Sequence, residues 1–179
     1  YQGSIYHPNL GSEKFYNVND LGIAYVNNGV EWPNDSLMMG QVVNLAKDSS
    51  KPFMTFITTV SAHMAYAYKS GEGDKYMNLF EDKGYDEETR RYLSKLKITD
   101  DSLGVLLDSL QNEGILDDTV IVMYGDHYPY GLSKEDVSKI VSYDVNLYND
   151  IEKTPFVIYN SKLSAKVFED KTSYINLLP

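Results

Sequence analysis

The residues with the clearest chemical potential are an acid and an imidazole that stand side by side in TVIVMYGDHYPYGLS, residues 119–133. The apolar run 120–124 predicts a buried strand, so Asp126 and His127 come directly after a strand end. A carboxylate and a neutral imidazole are suitable ligands for Zn²⁺ or Mn²⁺. Neighbours on an extended segment point to opposite faces, and Gly125 would let the chain turn so that both side chains reach one ion. The pair indicates a metal site, a catalytic dyad or only a turn.

A second histidine occupies a comparable place. His63 follows the aromatic and β-branched run 53–60, which predicts another buried strand. Ligands of open parallel sheets bind at the carboxyl ends of the strands, so we expect His63 and the Asp126–His127 pair to share one cleft, with side chains within about 10 Å. The alternative for each histidine alone is a hydrogen-bonded structural residue in a turn.

The elements that must position these residues alternate between helix and strand. Apolar spacing and capping residues predict helices at 35–47 and 87–113, and a short helix that begins near Ser133. The remaining predictions are a short strand at 22–26, a surface loop at 67–85 and a strand at 156–159. This order predicts an α/β fold with a mainly parallel sheet flanked by helices, in which 53–60, 120–124 and 156–159 are strands of one sheet. The first 30 residues are predicted to be irregular.

Composition narrows the class of protein. A chain of 179 residues suffices for one domain. A net charge of −10 argues against nucleic acid as a partner, because phosphate backbones require clustered basic residues. With no cysteine, neither a disulfide nor a thiolate zinc site can form. The sequence contains no apolar run of about 18 residues, so it predicts no membrane-spanning helix. The chain starts at Tyr1 without an initiator Met, so we expect it to be a piece of a longer protein.

Four segments carry a resemblance to a known family. They are FMTFITTVSAHMAY, DDSLGVLLDSLQNEGILDDTVIVMYGDHYPYGLS, TPFVIYN and SYINLLP, in that order. Together they resemble the sulfatase-like phosphoglycerol transferases of the lipoteichoic acid synthase family, within the alkaline phosphatase superfamily. The resemblance covers most of residues 32–179. It implies an alkaline phosphatase/sulfatase-like fold that is incomplete at the N-terminus, with a pocket-lining segment at 1–30 and an α/β core portion at 31–179 of a partial domain.

The resemblance also implies site residues. The family's Asp-His pair binds the catalytic divalent ion, which makes Asp126 and His127 the matching ligands. Mn²⁺ is the expected ion, with Mg²⁺ and Zn²⁺ as alternatives. Substrate contacts are expected from four residues at matching positions. They are His63, His7, Tyr16 and Ser133.

Two departures from the family pattern stand out. Val18 occupies the position of an expected Arg, which is the natural clamp for a phosphate. The family's nucleophile is a Thr near the start of its domain, beside an acidic metal ligand, and no segment here matches either. We therefore assign no catalytic nucleophile to this chain and expect the Thr upstream of it. The chain alone is expected to bind metal weakly or not at all and to be inactive.

The function implied by the resemblance is transfer of phosphoglycerol from a membrane phospholipid at the outer face of a bacterial membrane. The expected partners are a phospholipid head group or a glycerol phosphate polymer, with membrane attachment through segments outside this chain. A sulfatase or phosphodiesterase of the same superfamily is the nearest alternative. A folded module without catalytic activity is the alternative from a different class.

Overall fold

The computed structural model describes residues 3–26, 28–46, 51–146 and 152–173. Its helices are α1 (Gly3–Asn9), α2 (Asp35–Ala46), α3 (Glu87–Asn112) and α4 (Lys134–Ile140). Two strands, β1 (Ile121–Tyr124) and β2 (Phe156–Tyr159), form an antiparallel pair in which Ile121 lies opposite Tyr159 and Tyr124 opposite Phe156. Short 3₁₀ helices occupy Met77–Lys83 and Leu116–Asp118.

Helix α3 is the central element, and local sequence signals set both of its ends. The Asp86 side chain accepts a hydrogen bond from the Thr89 backbone N–H at 2.7 Å, so it caps the first turn. Glu87 and Glu88 in that turn lie favourably in the field of the helix dipole. Gly114 follows the last turn with φ at 71°, a left-handed conformation that glycine adopts without steric cost. The prediction of a helix at 87–113 is therefore confirmed to within one residue.

Two clusters of buried apolar side chains hold the elements together. In the first, α2 packs against α3, and the partly buried Ile121 of β1 and Tyr159 of β2 lie against this contact. Its buried members are Met39, Val43, Leu106, Leu110 and Leu116. The second cluster joins the loop after His63 to α4 and the segment that follows it. Its buried members are Tyr66, Leu132, Val137 and Val145.

The prediction of a mainly parallel sheet is not confirmed. Among the described residues the single strand pair is antiparallel, and residues 53–60 form no strand. Phe53, Met54 and Phe56 are 50%, 92% and 57% exposed, although Ile57 packs against the first cluster. Apolar and β-branched composition favours a strand, but a strand also needs a neighbour to pair its backbone N–H and C=O groups. No described strand provides that neighbour for 53–60.

The other element predictions divide between helices and irregular segments. The helix predicted at 35–47 is present to Ala46, where the described range pauses, and the helix near Ser133 is confirmed as α4. Residues 22–26 form no strand, and the 67–85 loop contains the 3₁₀ helix Met77–Lys83. The first 30 residues contain α1, which was not predicted, and residues 10–26 and 28–30 form neither helix nor strand. None of the described helices is both long and apolar enough to cross a bilayer.

Candidate metal centre and substrate contacts

The end of β1 places Asp126 and His127 at the surface, with 82% and 41% of their side chains exposed. The Nε2 atom of His127 lies 3.6 Å from Oδ1 of Asp126. The two side chains therefore converge, although they are neighbours in the chain. Together with Tyr128 and Glu152 they line a cleft of about 270 Å³.

The His127 ring is oriented by its surroundings. Its Nδ1 lies 2.7 Å from the carbonyl oxygen of Tyr128, and the ring packs at 4.5 Å from the ring of Tyr130. A carbonyl oxygen only accepts hydrogen bonds, so Nδ1 carries the proton in this arrangement, and the neutral ring then has its lone pair at Nε2. Metal-binding histidines commonly donate their second ring N–H to a carbonyl in this way.

Gly125 precedes the pair and lies close to Thr154, and its φ is not in the left-handed region that a glycine-specific turn would use. Its backbone N–H donates to the Pro155 carbonyl at 3.4 Å, one step beyond the last strand pair. A Cβ atom at this position would lie 3.1 Å from Cβ and 3.2 Å from Cγ2 of Thr154, closer than ordinary van der Waals contact. The absence of a side chain at Gly125 thus allows the chain to pass Thr154 immediately before the candidate ligands.

We expect Gly125→Ala to destabilise the chain by about 1–3 kcal/mol, because the added methyl group overpacks the contact with Thr154. Gly104→Ala is the matched control: Gly104 lies inside α3 with open space around its missing Cβ, and alanine should stabilise the helix by about 1 kcal/mol. Urea unfolding followed by circular dichroism measures both. A Gly125→Ala chain as stable as the wild type would show that the close approach of Thr154 does not constrain the turn.

His63 is positioned by a different set of contacts. Its ring meets the Trp32 ring edge-on, with centroids 4.8 Å apart, and its Nδ1 lies 2.9 Å from the Met64 carbonyl oxygen. By the same reasoning as for His127, Nδ1 donates here, and Nε2 of the neutral ring carries the lone pair. In both predicted site histidines, Nδ1 therefore donates to the backbone carbonyl of the next residue. This hydrogen bond fixes the direction of Nε2.

The turn that leads into His63 is tied to the start of α2. Each carboxylate oxygen of Asp35 accepts one backbone N–H, from Val60 and from Ser61, both at 2.9 Å. The Asp35 backbone N–H in turn donates to the Ser61 hydroxyl at 2.9 Å. Burial raises the pKa of Asp35 above its usual range, although these hydrogen bonds favour the charged form. These reciprocal bonds hold residues 60–61 against the start of α2.

The loops that carry the two histidines pack against each other. Gly131 lies so close to Tyr66 and Met64 that an added Cβ would be 2.9 Å from Cε2 of Tyr66 and 3.3 Å from Cε of Met64. The 127–131 loop therefore contacts the 63–66 loop through Gly131. That His63 and the Asp126–His127 pair face a common cleft stays a prediction.

The structure puts the other predicted substrate residues elsewhere. His7 on α1 packs between the rings of Phe15 and Phe56, at 5.8 and 5.5 Å. Tyr16 is exposed, and Ser133 caps α4, where its hydroxyl accepts from the Asp136 N–H at 3.1 Å and donates to the Asp136 carboxylate at 2.5 Å. None of the three lines the cleft beside Asp126 and His127. Substrate contacts by His7, Tyr16 and Ser133 stay predictions.

Sequence reasoning missed Glu152, Trp32 and Lys95. Glu152 joins the cleft because β1 and β2 pair antiparallel, so the residues just before Phe156 lie beside those just after Tyr124. A prediction that β1 and β2 pair antiparallel would have placed Glu152 near Asp126, but the sheet was predicted to be mainly parallel. Trp32 and Lys95 contact the His63 loop from 31 and 32 positions away along the chain, a distance that no local pattern spans.

The donor atoms fit a divalent ion in type but not yet in number. Two ligand atoms that each lie about 2.1 Å from a tetrahedral ion are about 3.4 Å apart, close to the separation of the Asp126 and His127 atoms. Across the described ranges, however, no group of three or more His, Asp or Glu side chains converges on one point. Binding of an ion by Asp126 and His127 therefore stays a prediction, and Glu152 lines the same cleft.

Comparison with known proteins defines the class. The family model described as Sulfatase matches residues 2–179, so the chain belongs to the sulfatase family. Members of this family have an alkaline phosphatase-like α/β fold and generally use a divalent metal. No solved structure matches the chain significantly.

Similar curated proteins confirm the resemblance to lipoteichoic acid synthases. The chain is 22% identical over 162 residues to "Lipoteichoic acid synthase-like YvgJ" of Bacillus subtilis, covering 87% of the chain and 25% of that protein. It is 22% identical to the lipoteichoic acid synthase of Staphylococcus saprophyticus (84% and 23%) and 23% identical to that of Staphylococcus aureus (97% and 27%). The chain thus spans about a quarter of the length of these relatives.

Proposed function

We infer that residues 1–179 form part of the sulfatase-like domain of a metal-dependent phosphoglycerol transferase, with 31–179 as its α/β portion. The observation that carries this inference is the convergence of Asp126 Oδ1 and His127 Nε2 at 3.6 Å, with His127 oriented through Nδ1. The names of the similar lipoteichoic acid synthases support a glycerol phosphate polymer or a phospholipid head group as substrate. The proposed location is the outer face of a bacterial membrane.

The chain's own residues have distinct parts in this reaction. Asp126 and His127 would hold the ion, for which we propose Mn²⁺. A divalent ion in such a site lowers the pKa of a bound hydroxyl and stabilises charge on a transferring phosphoryl group. His63 is exposed, and when its ring is protonated it can hold or deliver a proton at Nε2. In keeping with the resemblance, the nucleophile is a Thr outside this chain, which exchanges one phosphodiester for another through a covalent intermediate.

A hydrolase is the second candidate, because the matching family model is that of the sulfatases. Both candidates use the same ion ligands and differ in what resolves the intermediate: an alcohol in the transferase, water in the hydrolase. The site atoms of this chain are compatible with either outcome. The relatives' names favour transfer.

We expect the longest natural polypeptide that carries this chain to release diacylglycerol from phosphatidylglycerol and to add glycerol phosphate to an acceptor, with Mn²⁺ restoring activity after removal of metal by EDTA. The assay follows radiolabelled glycerol into polymer and into free glycerol phosphate. Incorporation into polymer supports the transferase, and free glycerol phosphate alone supports a phosphodiesterase. Cleavage of an aryl sulfate without attack on the lipid would identify a sulfatase. No turnover of either substrate would support the alternative of a folded module without catalytic activity.

A further inference from the structure

The segment that carries His63 is held by an unusual density of side-chain hydrogen bonds to its backbone. Every carbonyl oxygen from residue 62 to residue 66 accepts a hydrogen bond from a side chain, although the segment forms no helix or strand. The donors are Tyr66 OH to Ala62 at 3.1 Å, Lys95 Nζ to His63 at 3.0 Å and to Ala65 at 3.3 Å, Trp32 Nε1 to Met64 at 2.6 Å, and Arg91 Nη1 to Tyr66 at 2.5 Å.

Lys95 is the donor that bridges two of these carbonyls. It projects from α3, is 2% exposed, and its ammonium lies 5.8 Å from the centre of the Tyr66 ring. Burial lowers the pKa of Lys95 below its ordinary value, while the negative charge of Glu31 opposes the shift. An ammonium in this position costs desolvation energy that a methionine of similar length would avoid. The hydrogen bonds to the carbonyls of residues 63 and 65 are interactions that methionine, which has no donor, cannot make.

Those two bonds flank the atom that orients the His63 ring. The ring Nδ1 contacts the carbonyl of Met64, and Lys95 holds the carbonyls on either side of it. Trp32 donates to the same Met64 carbonyl and packs its ring edge-on against the imidazole. The direction of His63 Nε2 therefore depends on a backbone segment whose path Lys95 fixes.

We propose that Lys95 is a positioning residue for His63: its buried ammonium, by binding the carbonyls of His63 and Ala65, sets the tautomer and direction of the imidazole. This role depends on the proposed function in one respect, because that proposal makes His63 a substrate contact. Lys95 itself is buried and acts through the backbone carbonyls of the segment that carries His63. The His63 ring can be observed directly, so its orientation is testable without any turnover.

The test compares Lys95→Met with Lys97→Met, a matched change on the same helix at a half-exposed lysine that is ion-paired with Asp100 and Asp101. Long-range ¹H–¹⁵N NMR spectra report the tautomer of each of the three histidines in the chain. We expect Lys95→Met to convert the Nδ1–H form of His63 into a mixture with the Nε2–H form, and to leave His127 unchanged. Lys95→Arg should restore part of the wild-type signal. An unchanged His63 signal in Lys95→Met would overturn the assignment.

Two further measurements, NMR of the wild-type ammonium and kinetics of the natural polypeptide, complete the test. If Lys95→Met does not fold, the wild-type chain suffices: a bound ammonium must give a slowly exchanging ¹⁵N signal with correlations to the carbonyl carbons of His63 and Ala65, and the lack of these correlations would overturn the role. In the natural polypeptide, Lys95→Met should lower kcat by about tenfold to a hundredfold with little change in KM, as expected for a misplaced group. A shifted His63 signal with unchanged kcat would support the positioning role and reject His63 as a participant in the reaction.

Discussion

Replacement of Arg91 by Met should destabilise the chain by about 3–5 kcal/mol, because it removes one partner of a buried network of charges and hydrogen bonds. Arg91 is 1% exposed and donates to Asp74 at 2.5 Å, to Glu87 at 2.6 Å and to the Tyr66 carbonyl at 2.5 Å. Methionine fills much of the same space, but the Tyr66 carbonyl and the Asp74 carboxylate lose their donor. The loss of stability should lie near the lower end of this range, because Asp74 and Glu87 are 28% and 56% exposed and water can reach their carboxylates.

Arg90→Met is the matched control for this change. Arg90 is the preceding residue on α3, and its Nε has no hydrogen-bond partner among the described residues. That Nε is buried, so methionine removes an unpaired buried donor and should leave stability unchanged or raise it by about 1 kcal/mol. Urea unfolding at neutral pH measures both variants. If Arg91→Met fell within about 1 kcal/mol of Arg90→Met, the network would be worth no more than an exposed ion pair.

Helices were predictable here because their signals are local. Asp86 and Gly114 mark the ends of α3, and the spacing of its apolar residues marks the buried face, so the sequence alone located it to within one residue. The segment 53–60 shows the limit of the same approach. Its composition favours a strand, yet strand formation depends on a partner that may lie anywhere in the chain, and none of the described strands pairs with it.

The candidate site divides in the same way. Asp126 and His127 are adjacent in the sequence and follow a strand, so residue type and position were enough to single them out. Glu152 reaches their cleft only through the antiparallel register of β1 and β2, and Lys95 reaches the His63 loop only through the packing of α3. These contacts depend on tertiary structure, which periodicity within one segment does not encode.

Asp126→Asn should weaken Mn²⁺ binding to the chain by at least about tenfold, because even groups that merely support metal ligands change affinity about 10–100-fold. The asparagine keeps the shape of the side chain and one oxygen but removes the negative charge. Asp118→Asn is the control, since Asp118 is a similarly exposed acid that pairs with Lys162 at 3.2 Å, away from the cleft. It should leave Mn²⁺ binding unchanged. Wild-type affinity itself is expected to be weak, because a stable site for this ion normally has more than two protein ligands.

The central claim, that Asp126 and His127 bind one divalent ion, is tested most directly by titrating Mn²⁺ into the chain while following the ring signals of its three histidines by NMR. A paramagnetic ion broadens nearby protons even when it binds weakly, and Mg²⁺ gives the diamagnetic control. We predict that the His127 signals broaden first and the signals of His7, whose ring packs against two phenylalanine rings, last. Asp126→Asn should remove this preference. Equal broadening of His7 and His127, or tight binding that persists in Asp126→Asn, would contradict the claim.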